Sequence, residues 1–219
     1  MSALDSAVRA ASYTGGQMLG AATRMIAARP ATKPLHPRGS VVQGTLRRVG
    51  TQGLTGAGWL DQAGEDLVLV RQSRAIGLPP PVPDIHGLAI RVPTEGGRGG
   101  DLLFASTGLG RLTRFTLTAA RSPYRRPMTT LLPYRTPVGA VLLSAVFRDE
   151  GSVKLAWATR SGGWHPFADL SLHTDPSDHA DMPVSFDPVR NVLPGLELYD
   201  WVRQLREPSY ATARQSRRP

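Results

Sequence analysis

Apolar positions change their period along the chain. Between Ala3 and Ala28, the residues Leu4, Val8, Ala11, Met18, Ala22 and Ile26 recur at roughly helical spacing, broken at Gly15 and Gly16, which predicts two short amphipathic helices. Pro30, Pro34 and Pro37 then prescribe an extended arm, because proline fixes φ and turns the residue before it away from helix. From Gly39 the rhythm is that of strands. Ser40–Arg48, Leu67–Gln72, Leu88–Val92, Leu102–Ala105, Val138–Phe147 and Val153–Thr159 are short apolar or β-branched runs separated by turn residues. Such spacing predicts a closed antiparallel barrel or a sandwich. The last element, Leu198–Gln215, sets Trp201, Val202, Leu205 and Tyr210 toward one helical face, with Asp200 as a cap. Pro208 inside it predicts a kink or a restart. No repeat or linker divides the chain. The expectation is an α+β fold: a helical arm over 1–32 and one barrel domain with flanking helices over 33–219.

Composition narrows the chemistry. With 219 residues one domain can bury about 70% of its unfolded surface without staples. The absence of cysteine excludes disulfides, thiolate metal sites and cysteine nucleophiles, which leaves His, Tyr and carboxylates as metal ligands. The 19 prolines and 23 glycines are spread along the chain, against a helical bundle.

The formal charge of +9 is almost all arginine, since Lys33 and Lys154 are the only lysines. Apart from Arg121 to Arg126 and Arg214, Arg217 and Arg218, the basic residues are dispersed and accompany no nucleic-acid motif, so a solvated surface is expected and a nucleic-acid partner is not. The longest apolar stretch, Val138–Phe147, falls short of the roughly 20 residues needed to cross a bilayer. Met1–Arg29 lacks the order of a signal peptide, so a cytoplasmic protein is expected. The rival for that segment is membrane contact through Arg9, Arg24 and Arg29.

Several short motifs occur in a telling order. Lys33-Pro-Leu-His36-Pro-Arg-Gly39 is followed by Val70-Arg71-Gln-Ser73, by Asp84-Ile-His-Gly87-Leu-Ala89-Ile-Arg91 and by Gly100-Asp101-Leu102-Leu103. Near the end stand Phe186-Asp187-Pro188, Leu193-Pro194-Gly195-Leu196 and Arg206-Glu-Pro-Ser-Tyr210. The series resembles the haem catalases: the histidine on entry to the barrel, the Arg-Phe-Ser strand, the Asp-x-x-Gly-Phe-Ala and Trp-Asp-Leu-Val segments, and the Arg-x-x-x-Tyr of the proximal ligand. It covers Lys33 to about Asp101 and Pro183 to Tyr210, while Leu109 to Asp181 matches poorly and is shorter than in full-length catalases.

The resemblance implies haem b, with Tyr210 as the iron ligand. It implies His36 as the acid/base for hydrogen peroxide and Ser73 as its orienting partner. Arg71 and Lys33 would hold the propionates. Arg206, one helical turn before Tyr210, would support the phenolate. Ser106 falls where the family's distal asparagine is sought. One hydroxyl in place of an amide implies weak or no catalase activity, and a peroxidase that oxidises a small organic donor. Without the family's arms and wrapping segments, a monomer or homodimer is expected.

Other readings of the same residues stand beside these. Arg71 in an apolar strand can belong to a structural ion pair with Asp84. Arg206 and Tyr210 can be an i, i+4 packing or cation–π pair, and His36 among prolines a turn residue. His165, Asp169, His173, Asp175, Asp178 and His179 form a second constellation. They read either as a polar solvated loop or as ligands of a metal-dependent hydrolase of the phosphodiesterase type. A third class is a non-enzymatic haem-binding protein on the same fold.

Overall fold

A computed structural model describes residues 38–77, 79, 81–97, 99–173 and 184–215. Ten strands run in chain order: β1 Arg38–Arg48, β2 Gly64–Arg74, β3 His86–Val92, β4 Gly100–Ser106, β5 Met128–Thr129, β6 Tyr134–Thr136, β7 Gly139–Phe147, β8 Ser152–Thr159, β9 His165–His173 and β10 Glu197–Leu198. Two α-helices are described, α1 over Gly58–Asp61 and α2 over Asp200–Gln215, besides 3-10 turns at Thr113–Phe115 and Pro123–Arg125. Eight strands close a barrel in the order β5-β4-β3-β2-β1-β9-β8-β7, with β7 returning to β5. All neighbouring pairs are antiparallel, and β6 and β10 extend the sheet beside β7.

Alternation explains the closure. On β1 to β4, Val42, Leu46, Val68, Val70, Leu88, Ile90, Val92, Leu102 and Phe104 belong to one buried core, and each is separated from the next on its strand by a residue of the opposite face or a multiple of that step. Leu143, Ala145, Leu155, Phe167 and Leu170 complete it from β7 to β9. Burying these chains is the main stabilising contribution, at roughly 1.5–3 kcal/mol for each large apolar side chain. The barrel interior is therefore packed side chains, and a ligand site has to lie at its mouth or on its outer face.

The segment 184–199 crosses the outer face of β4 and delivers α2. Asp101 anchors it, its carboxylate accepting from the Asp187 amide at 2.6 Å and from Asn191 Nδ2 at 2.8 Å. Gly100 is required where Leu193 of the segment enters the core, since a Cβ there would stand 2.2 Å from Leu193 Cγ.

The fold departs from expectation in several respects. The expected antiparallel barrel is present, but the described residues are mostly β, with two α-helices and two short 3-10 turns, so the α+β class does not hold. The arm expected over 1–32 lies outside the described residues. His165–His173 is a strand, not a loop. Tyr199, whose carbonyl accepts from the Arg203 amide at 2.9 Å, caps α2. Asp200 instead sits in the first turn, where a carboxylate meets the positive end of the helix dipole. The helix passes Pro208 without a restart. No helix among the described residues is long and apolar enough to cross a membrane.

Candidate functional site

The outer face of β1 to β4 carries the expected residues of β2. Cross-strand pairing puts Gly39, Ser73, Gly87 and Ala105 in one row, and Val41, Arg71, Ala89 and Leu103 in the next. Arg71 and Ser73, two apart on β2, thus share a face. The Arg71 guanidinium folds over Gly39, where a Cβ would come within 2.9 Å of its Cζ. The expected partner Asp84 belongs instead to Arg74, at 3.5 Å, and its carboxylate accepts from the amides of Ile76, Gly77 and Ile85 at 2.7–3.0 Å. Lys33 and His36 lie outside the described residues.

The second group is on α2. Steps of four residues put Val202, Arg206, Tyr210 and Arg214 along one side of the helix, with Val202 in the core and Tyr210 packed against it. Trp201 and Leu205, expected on the same face, are 43% and 38% exposed. Arg214 closes the far end on Asp187 at 2.6 Å and on Glu207.

Arg206 is half-buried, donates weakly to the Thr130 carbonyl at 3.4 Å, and has no carboxylate partner among the described residues. Its Nη1 is buried without a hydrogen bond. Burial pushes the Tyr210 phenol up to about 12, and the Arg206 charge opposes that rise. Tyr134 on β6, 3% exposed, is raised by burial in the same way and is likewise opposed by Arg206. Its hydroxyl lies beside the guanidinium, close enough for that donor to oppose the rise but without good hydrogen-bond geometry. Tyr134 was not visible as a site residue in the sequence, because β6 is only three residues long and carries no motif.

The two groups flank one strip of the barrel wall. Asp101, whose charge reaches Tyr210, and Ala105, in the row of Ser73, stand at opposite ends of β4's outer face. Four strand steps separate them by roughly 13 Å. Leu103 and Ala89 line the wall between.

Ser106 is turned to the interior by the same alternation. It is 0% exposed, accepts from the His86 amide at 3.1 Å and donates to the Thr118 carbonyl at 2.7 Å. Contact with peroxide would require it to leave these partners, and the β4 residue on Ser73's face is Ala105. Leu102 and Phe104, apolar at alternate positions, were the sequence signal for that parity.

The histidine and aspartate stretch does not converge. On β9, His165 lies against the Trp157 ring with centroids 5.0 Å apart, Asp169 pairs with Arg148 at 3.4 Å, and His173 meets Thr45 Oγ1 at 3.0 Å. Eight strand steps put the two histidines roughly 25 Å apart, too far to share an ion. No group of three or more metal-ligating side chains gathers among the described residues, and Asp175, Asp178 and His179 lie outside them.

No protein-family sequence model and no curated protein sequence matches the chain. Its structure is similar to solved catalases. Catalase A from Saccharomyces cerevisiae superposes with a TM-score of 0.61 at 13% identity, over 91% of this chain and 64% of that one. A fungal catalase gives 0.59 at 13%, over 91% and 62%, and a bacterial catalase 0.57 at 15%, over 84% and 56%. The chain spans less than two thirds of each of these catalases. Architecture and likeness agree on one conclusion: this chain folds as a catalase-like β-barrel.

Proposed function

We propose that the protein holds a haem between α2 and the outer wall of the barrel and uses it to reduce hydrogen peroxide at the expense of a small organic donor. The observation that carries this reading is Arg206. A half-buried guanidinium without an anionic partner among the described residues is costly, and it sits one helical turn from a phenol that packs against the core. Ionising that phenol would supply the missing charge, and a ferric ion held there would make ionisation favourable at neutral pH.

The residues present fit a haem. Tyr210 supplies an oxygen ligand with its counter-cation in place, and Arg71 stands on the wall strip as a partner for a propionate. When bound, haem would supply the iron at which the O–O bond is broken. The rest falls to side chains. His36 is the proposed acid/base, taking a proton from one peroxide oxygen and returning it to the other. Ser73 is its proposed orienting partner, and Lys33 a second propionate partner. Reduction of one peroxide consumes two electrons and two protons and yields two waters, so two donor molecules each lose one electron and one proton. With Ala105 and not an amide on Ser73's face, disproportionation of peroxide is expected to be slow.

The test is the absorption spectrum and haem-to-protein ratio of protein expressed with haem precursor. Stoichiometric haem with a high-spin phenolate spectrum is expected, lost in Tyr210→Phe. Unchanged haem in that variant would move the ligand elsewhere, and a protein that resists reconstitution would remove the haem reading.

A further inference from the structure

One mouth of the barrel is a built pocket of about 350 Å³, whose edge reaches Gly39, Ser73 and Gly87 at the end of the outer wall. The inward-facing residues Gln72, Arg74, His86 and Met128 form its floor, and Arg121, Ser122 and Pro123 form its rim. That volume is at the small end of the range for small-molecule sites.

Among the described residues the lining carries two guanidinium groups and no carboxylate. Asp84 partly offsets Arg74 from behind, but Asp84 is 0% exposed and its oxygens already accept three amide hydrogens. Arg121 is exposed and has no ion pair among the described residues. The pocket therefore favours an anion.

His86 adds a second requirement. It is 4% exposed, and its Nε2 lies 2.9 Å from the Ala120 carbonyl. A carbonyl only accepts, so Nε2 carries the proton, and in the neutral ring Nδ1 is left as an acceptor. Among the described residues nothing donates to Nδ1. Burial, reinforced by the nearby Arg74 charge, holds the imidazole below its usual 6.5, so the ring is neutral at pH 7. Met128 and Pro123 give the remaining wall an apolar surface.

We propose that the barrel mouth binds a small hydroxylated carboxylate, its acid group on Arg121 and Arg74, its hydroxyl donating to His86 Nδ1, and its apolar body against Met128 and Pro123. An inorganic anion lacks the donor and the apolar body, a neutral phenol lacks the charge, and an amine is repelled. That this ligand serves as the reducing substrate rests on the proposed haem function. Its binding does not.

The experiment titrates the full chain, as purified and with its haem content measured, with 4-hydroxybenzoate, benzoate and methyl 4-hydroxybenzoate. Heat and the Met128 methyl resonance, assigned through Met128→Leu, are the readouts. The hydroxy acid is expected to bind and to shift that methyl. Loss of either group from the ligand should weaken binding about tenfold, as should Arg121→Ala for the acid alone, each tenfold step being about 1.4 kcal/mol. The ester should be indifferent to Arg121→Ala, which separates a charge contact from a general change of the rim.

No Met128 shift up to about 10 mM hydroxy acid, the weak end of small-ligand affinity, would overturn the proposal. So would equal affinity for acid and ester, or for hydroxybenzoate and benzoate. Binding by haem-free protein supports the site even where the haem reading fails. Haem-loaded protein that ignores the ligand removes the site and leaves the haem reading intact.

Discussion

Tyr210 and Tyr134 share one guanidinium, and burial decides the state of both. Without a metal, Tyr210 is a neutral phenol whose folded value of about 12 stands above its ordinary 10.0. The unfolded chain therefore loses this proton first. Its stabilising effect is complete below pH 10 and falls as the pH rises toward 12, by at most about 2–3 kcal/mol. Urea unfolding across that window should show an alkaline decline that Tyr210→Phe reduces; equal slopes in the two proteins would place the titrating group elsewhere. Tyr134→Phe tests a different property. The hydroxyl it removes is buried and meets the Arg206 guanidinium without good hydrogen-bond geometry, so the variant should stay within about 0.5 kcal/mol of the parent in stability. A loss of about 2 kcal/mol would mean that the hydroxyl is bonded after all.

The attachment of α2 decides whether these residues stay together. Asp101, 2% exposed, accepts from Arg91 through two nitrogens at 2.7 and 2.8 Å, besides the Asp187 amide and Asn191. Asp101→Asn leaves the half-buried Arg91 guanidinium short of its charge and should cost about 1.5–3 kcal/mol. Hydrogen exchange in 184–215 should rise first, with β1 and β2 still protected. Uniform loss of protection would mean that Asp101 supports the whole barrel and not this clasp alone. The legibility of elements follows their length and purity. Six strands were visible because four or more residues of apolar alternation survive in each. β5, β6 and β10 are two or three residues long and have no period to read. β9 was hidden by His165, Asp169 and His173, which suggested chemistry while its buried positions Phe167, Leu170 and Leu172 were overlooked. Arg206 and Tyr210 were legible through the motif, whereas the orientation of Ser106 and the role of Tyr134 depend on pairings between strands distant in sequence.

Across the whole molecule, closure is uneven. β1 and β2 pair along 11 residues each, whereas β5 pairs with β4 and β7 at Met128 and Thr129, with one further backbone hydrogen bond on each side, from Thr107 to Pro127 and from Thr130 to Leu143. The weakest seam of the barrel should therefore be β5. Amide exchange at Met128 and Thr129 is expected to exceed that of β2 by orders of magnitude under native conditions, and comparable protection would show that the barrel opens only as a unit.

The closed circuit of strands also governs how copies of the protein meet. An open sheet presents a row of unsatisfied amides to its neighbours, a template for runaway polymerisation. Here eight strands satisfy one another, and the short β6 and β10 pairings are the sheet's departures from the ring. Backbone templating consequently has little to work with, and crowding or concentration should leave the barrel dispersed unless side chains on its surface choose a partner.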